Sequence, residues 1–270
     1  VALRARVTVC MSTTDLGVAP RDELLRTIEA RLAPDRYTAP AEDRRAIVAA
    51  IERLEASRGP PSFPQDLALV DGDWDLLFTT NAVDAQELLG TLTPALSSPL
   101  LEGTPLNSRR VRQEIDTKAN RVRNCVTFTA WPEGGAATLL PPPLPDLLAG
   151  LEGSDLSLVL DHLAVVETGM SSTSVASAPA RLRIELQQIR RKLETGPVEG
   201  SSLGAGLLDL VPKETSVPVP WPISALGAGR FDTTYVDDGL RVSRGVAPGR
   251  EVRVFRRAAT PAVVVDESEL

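Results

Sequence analysis

The chain is poor in the groups on which most metal sites and many enzymes depend. Among 270 residues there is one histidine, His162, and there are two cysteines, Cys10 and Cys125. One histidine excludes a histidine-rich metal site, and no metal-ligand spacing is present. Two distant cysteines with no Cys-x-x-Cys read as free thiols in a reducing compartment. No phosphate loop and no Gly-x-Gly-x-x-Gly ahead of a helix occurs, so no cofactor is expected. No run of about 18 apolar residues free of charge and proline exists, so no transmembrane helix is expected. Aromatics make up only 4% of the chain, which makes the place of each Trp and Tyr informative. Basic charge is in short supply too: the net charge is −7 and the pI about 5.0. That balance argues against nucleic acid as a partner and against simple electrostatic docking on anionic lipid.

What remains is an ordinary globular composition, 43% hydrophobic and 24% charged, in a chain long enough for one large β domain or two smaller units. Lysine is nearly absent, with Lys118, Lys192 and Lys213 the three present, so almost every cation is an arginine. Arginine stems can lie along a strand surface or over aromatic rings.

The first stretch, VALRARVTVCMSTT, has arginines and hydroxyl residues but no acid. It reads either as the remnant of an organelle transit peptide over residues 1–20 or as a disordered tail. Residues 21–34 place Leu24, Leu25, Ile28 and Leu32 at helical spacing and stop at Pro34. Residues 41–59 form a second helix, with Ile47, Ile51 and Leu54 on one face and Glu42 and Asp43 favouring its start. Together, residues 21–60 read as a helical hairpin that leans on something larger.

From Asp73 the period changes from 3.6 to 2. WDLLFTT is a strand, and residues 109–131 split into two alternating runs around TKANR, with Asn120 in the turn. Residues 156–169 read as a strand. Residues 180–194 begin as one, with Leu182, Ile184 and Leu186 alternating, but their Gln- and Arg-rich tail fits a helix as well. Residues 230–245 are a strand, an Asp-Asp-Gly turn and a returning strand, and residues 251–257 close the series. The segments 132–153 and 195–222 are too rich in proline for central strands. They read as loops, and their leucines make them lids or partner surfaces at most. Residues 259–270 form a C-terminal tail.

Helices first and then many antiparallel strands is not a βαβ rhythm. Six or more such strands hide their edges best in a closed antiparallel barrel, and about eight leave an interior that holds one small ligand or is filled by side chains. Gly72-x-Trp74 at the head of the first strand resembles the arrangement of lipocalin-type barrels. Glycine turns the chain tightly into the strand, and the indole caps the closed end. An arginine of the last strands stacks on the ring in such barrels; Arg241 and Arg244 are the candidates, worth about 0.5–2 kcal/mol if stacked. Gly72, Trp74 and Arg244 are therefore assigned to closing the barrel, with direct ligand contact the alternative for Trp74.

IVAAIERLEASRGPPSFP is followed by LVDGDWDLLFTTN, then VRQEIDTKANRVRNCVTF, ARLRIELQQIRRKL, GRFDTTYVDDGLRVSRG and VRVFRRA. This order resembles the plastid lipid-associated protein (PAP) family, also called plant fibrillins. The resemblance runs over residues 21–257 with gaps at the Pro-rich loops, and the terminal motif is its most specific part. Phe78 stands where the family commonly has Tyr, and Val236 where Leu is usual. The ending APGREVRVFRR is longer and more basic than the family's.

The resemblance implies a mainly β protein with a lipocalin-like antiparallel β-barrel over residues 69–258. It implies a plastid location, at plastoglobules, at thylakoids or in the stroma. It implies sequestering of apolar lipids, namely isoprenoid quinones, carotenoids or acyl lipids. Phe78, Thr80, Tyr235, Asp238 and Arg241 are the candidate ligand-binding residues, a polar mouth that orients the head group of an apolar ligand. The alternative for the ending is a hairpin turn at Asp238-Gly239 and an Asp–Arg pair that fastens the barrel. An indole at Trp131 or Trp221, each bordering a Pro-rich loop, either dips into a lipid surface or packs ordinarily.

Two further readings compete. In one the barrel is filled and the helices and loops dock an enzyme of plastid lipid or quinone synthesis. In the other the chain is a hydrolase, which ranks last. Asp161 and His162 are strand neighbours on opposite faces, and Gly169-Met170-Ser171 lacks the second glycine of a nucleophile elbow. No catalytic residue is assigned.

Overall fold

The computed structural model describes residues 19–33, 36–81, 107–129, 155–167, 180–194, 213–219, 229–246 and 250–259. The leader with Cys10, the segment 132–153, Trp131, Trp221 and Gly169 to Ser171 lie outside the described residues.

Helix α1, Pro20–Arg31, opens with proline at its first turn, carries Asp22 and Glu23 there, and has Arg31 in its last turn. These charges suit the helix dipole at both ends. Helix α2, Ala41–Arg58, buries Ile47, Ala50, Ile51 and Leu54, a stripe at i, i+3, i+4 and i+7. Gly59, at φ 78°, ends it in a conformation that favours glycine. The ion pairs Arg31–Asp43 at 2.8 Å and Arg53–Glu23 at 2.7 Å link the two helices. A single turn of helix, α3 at Leu67–Val70, leads into the sheet.

Among the described residues nine strands follow: β1 Gly72–Thr79, β2 Asn107–Asp116, β3 Arg121–Thr129, β4 Asp155–Glu167, β5 Ala180–Glu194, β6 Glu214–Pro218, β7 Gly229–Val236, β8 Leu240–Gly245 and β9 Val252–Arg257. All pairings are antiparallel, in the order β4-β3-β2-β1-β9-β8-β7-β5-β6. β4 also pairs with β5 along its whole length, so the circuit of pairings closes on itself and β6 hangs from β5. β6 lies inside the Pro-rich stretch 195–222. It is short and ends on Pro218, as suits a strand outside the closed circuit. The segment 180–194 is strand throughout, which resolves the choice left open by its tail.

The closed circuit separates two apolar faces. On the outer face Leu24, Ile28, Ile47, Ala50, Ile51 and Leu54 of the helices meet Phe78, Tyr235, Leu240, Val242, Val252 and Val254. Each large aliphatic side chain buried there contributes about 1.5–3 kcal/mol. The inner face gathers Trp74 and Leu76 of β1, Ile115 of β2, Val122 of β3, Ala164 of β4, Leu182 and Ile184 of β5, Phe231 and Val236 of β7 and Phe255 of β9. Residues from strands all round the circuit meet there, which makes this face the inside. A further inner group, Val126, Phe128, Leu158, Leu160 and Ile189, joins it through Val111.

Of the four register shifts among the described strand pairs, three bear on which side chains point inward. The register shifts between Leu76 and Phe78, between Thr233 and Tyr235, and between Asp161 and His162. Each adds a residue to one strand and reverses the side-chain faces beyond it. Phe78 and Tyr235 are thereby turned out under the helices, whereas the alternation of Trp74 and Leu76, or of Phe231 and Thr233, would have carried them inward.

Candidate functional site

One end of the inner face is built around Trp74, fully buried, whose Nε1 donates to the Val70 carbonyl at 2.8 Å. Two guanidinium groups lie over its ring, Arg257 at 4.3 Å and Arg241 at 5.2 Å from the ring centre. Gly72, at φ 117°, makes the arrangement possible, since a Cβ there would come within 2.5 Å of Arg257 Nη1. Arg257 donates to the carbonyls of Leu69, Asp71 and Asp238, each at 2.7 Å. The Asp71 carboxylate accepts from the Thr117 backbone at 2.7 Å and its hydroxyl at 2.9 Å, which ties the head of β1 to the β2–β3 turn.

Arg241 is the unusual member. It is fully buried, lies 4.4 Å over the Phe255 ring, and donates through Nη2 to Gln113, which in turn donates to Asn124 at 2.7 Å. Among the described residues its Nε and Nη1 have no hydrogen-bond partner. Burial, with the cationic Arg253 and Arg257 adding repulsion, pushes its pKa down to about 9. Ser243, two residues on and so on the same face, is buried, and opposite it Thr233 is buried with an unpartnered Oγ1.

The other sequence-selected residues lie elsewhere. Arg244 faces outward and forms a two-bond pair with Glu55 of α2, at 2.9 and 2.7 Å, that pins the helix to the sheet. Thr80 accepts from the Val252 backbone at 2.9 Å, a link between strands β1 and β9. Asp238 is exposed and contributes its carbonyl to Arg257. Its neighbour Asp237 holds the turn, accepting from the Gly239 and Leu240 backbones and from the Tyr235 hydroxyl, all at 2.7 Å. Burial acts to raise the Asp237 carboxyl, but these donors outweigh it and hold it below its ordinary value. The structure thus brings Trp74, Gly72 and Arg241 together and leaves Phe78, Thr80, Tyr235, Asp238 and Arg244 apart from them. Arg257 was missed by sequence reasoning. Its signal is the alternation Arg253, Phe255, Arg257, which puts an arginine opposite Trp74 once β1 and β9 are paired.

Asp161 and His162 point to opposite faces. Asp161 meets Arg121 at 2.7 Å, Arg123 at 3.3 Å and Arg190 at 2.8 Å. Its burial acts upward on the carboxyl, yet the arginine bonds hold it low. His162 is buried with Nδ1 unpartnered, and burial pushes it below the ordinary imidazole range. Burial raises the free Cys125 thiol to about 11, too high for a reactive thiolate near neutral pH. Among the described residues no group of three His, Cys, Asp or Glu side chains is placed to hold a metal, and no helix is long and apolar enough to cross a membrane.

These features define a mainly β protein: one antiparallel sheet of nine strands, with an apolar inner face built around an arginine-flanked tryptophan. The PAP_fibrillin family model matches residues 27–139, from within α1 past the end of β3, so this part of the chain is similar to the plastid lipid-associated protein/fibrillin family. The match includes the Gly72-x-Trp74 strand and stops before the terminal motif at residues 229–245. No curated protein and no solved structure gives a significant match. The family is in general a structural, lipid-associated one of plastids.

Proposed function

We propose that this chain is a non-catalytic carrier of apolar plastid lipids. In this reading the closed sheet is a lipocalin-like barrel over residues 69–258, and α1 and α2 form a helical hairpin against its outer wall. The ligand is an isoprenoid quinone, a carotenoid or an acyl lipid. The protein works at the surface of plastoglobules or thylakoids or in the adjoining stroma. One observation carries the reading: an inner face of apolar side chains from strands around the whole circuit, with a few buried polar groups set among them. Such a lining is what a site for a largely apolar ligand requires. The bulk of Trp74, Phe128, Phe231 and Phe255 on that face favours the second reading, a filled barrel that docks an enzyme of plastid lipid or quinone synthesis.

Titration of the purified chain with a quinone, a carotenoid and a fatty acid, followed by tryptophan fluorescence, separates the two. The carrier reading expects saturable quenching by at least one class. A folded protein that none of the three quenches saturably would leave the docking reading.

A further inference from the structure

An arginine closed off from water is held there at a cost unless its charge and donors are met. Arg241 meets that condition only in part. Guanidinium carries five N–H donors and no acceptor. The Gln113 oxygen takes one through Nη2, and the Trp74 and Phe255 rings face the cation, but Nε and Nη1 have no acceptor among the described residues. The charged groups that act on it are Arg253 and Arg257, both of its own sign. Arg244, three residues along the same strand, has a carboxylate of its own. The inner face therefore carries a buried positive charge with free donors, next to the buried hydroxyls of Ser243 and Thr233. Beyond it runs the apolar row of Val126, Phe128, Leu158, Leu160 and Ile189.

We propose that Arg241 anchors the carboxylate of a long-chain acyl acid, with the Thr233 hydroxyl as a further donor and the acyl tail along the apolar row. The inference rests on the carrier reading and narrows it. A carboxylate supplies what the site lacks: one negative charge for the one unneutralised cation, and oxygens that accept from Nε and Nη1. A neutral quinone or carotene head supplies no charge.

The test compares oleic acid, oleyl alcohol and oleyl phosphate, each below its aggregation limit, by calorimetric titration against the native chain and Arg241→Met. A charge-assisted bond in a buried site gives the acid an advantage of roughly tenfold or more over the alcohol. In Arg241→Met that ratio should fall to about one, because the acid loses its charge partner. The ratio in the native chain decides the matter even if the variant fails to fold, because equal binding of acid and alcohol would overturn the proposal. So would an acid preference that survives in a folded Arg241→Met, or a phosphate that binds far more tightly than the acid. Equal binding of acid and alcohol leaves the carrier reading standing; binding of none of the three, together with no saturable quenching by quinone or carotenoid, removes both.

Discussion

Two arginines three residues apart on β8 show how differently the two faces of this sheet are made. Arg244 points outward, where Glu55 meets it with two bonds and the pairing raises its pKa above the ordinary value. Arg241 points inward, is buried completely, and is pushed down to about 9. Around Arg244 the outer face is finished within the chain: the helices pack on β1, β7, β8 and β9, and the partly buried Arg244 has its anion in Glu55. The inner face is as apolar but unfinished, with donors on Arg241 and Thr233 that find no acceptor among the described residues. The two faces are thus separated by a single pleat.

The comparison breaks first at Trp74. Trp74→Ala removes the ring under both Arg241 and Arg257 and opens a cavity at that end of the inner face. A loss of about 3–5 kcal/mol in chemical denaturation is expected. A loss under 1 kcal/mol would mean that the end is held by the Arg257 backbone bonds alone.

The two arginines themselves come next. Arg244→Met removes the charge partner of Glu55 and leaves it the Thr234 hydroxyl alone, which should cost about 2–3 kcal/mol. Arg241→Met replaces an incompletely paired buried charge with an apolar chain of similar length and should be neutral or stabilising in the ligand-free protein. Melting of the two variants side by side checks the sign difference; equal losses would erase the contrast between the faces.

The smallest effect is on pH. The carboxyl groups of Asp75, Asp161 and Asp237 are all held below their ordinary value, against the upward push of burial, by arginine, tyrosine or backbone donors. A depressed carboxyl binds fewer protons folded than unfolded, so its contribution is complete above the unfolded value and is lost as pH falls through the folded one. Stability should therefore drop below about pH 4, and Asp161→Asn should flatten that drop. An unchanged acid limb in Asp161→Asn would show that its three arginines add nothing to folding.

Much of the fold was legible because strand alternation and turn chemistry are local. The β2–β3 turn was placed at TKANR, and Asn120 sits there at φ 52°. The strand–turn–strand of residues 230–245 was placed by Asp237-Asp238-Gly239. What failed to show was what bulges hide. In β5 the alternation of Leu182, Ile184 and Leu186 jumps to Ile189 because Gln187 is the extra residue opposite Asp161 and His162, and past that break the Gln- and Arg-rich tail fitted a helix as well as a strand. The same shift sent Phe78 and Tyr235 to the helix side although a strict period of two would line them up with Trp74 and Phe231. β6 is five residues long and α3 is four, too short for a period to declare itself. Trp74 and Arg241 were both selected from the sequence, but the missing acceptors on Arg241 are a property of packing.

The account turns on where a bound lipid sits. Replacing Trp131 and Trp221 by Phe leaves Trp74 as the single indole, and acyl acids brominated at successive carbons then report distance from it by quenching. With the carboxylate at Arg241, whose guanidinium lies 5.2 Å from the Trp74 ring, quenching should be strongest for bromine near the head and fade toward the methyl end. Quenching that strengthens toward the methyl end, or saturable binding that leaves Trp74 untouched, would contradict it.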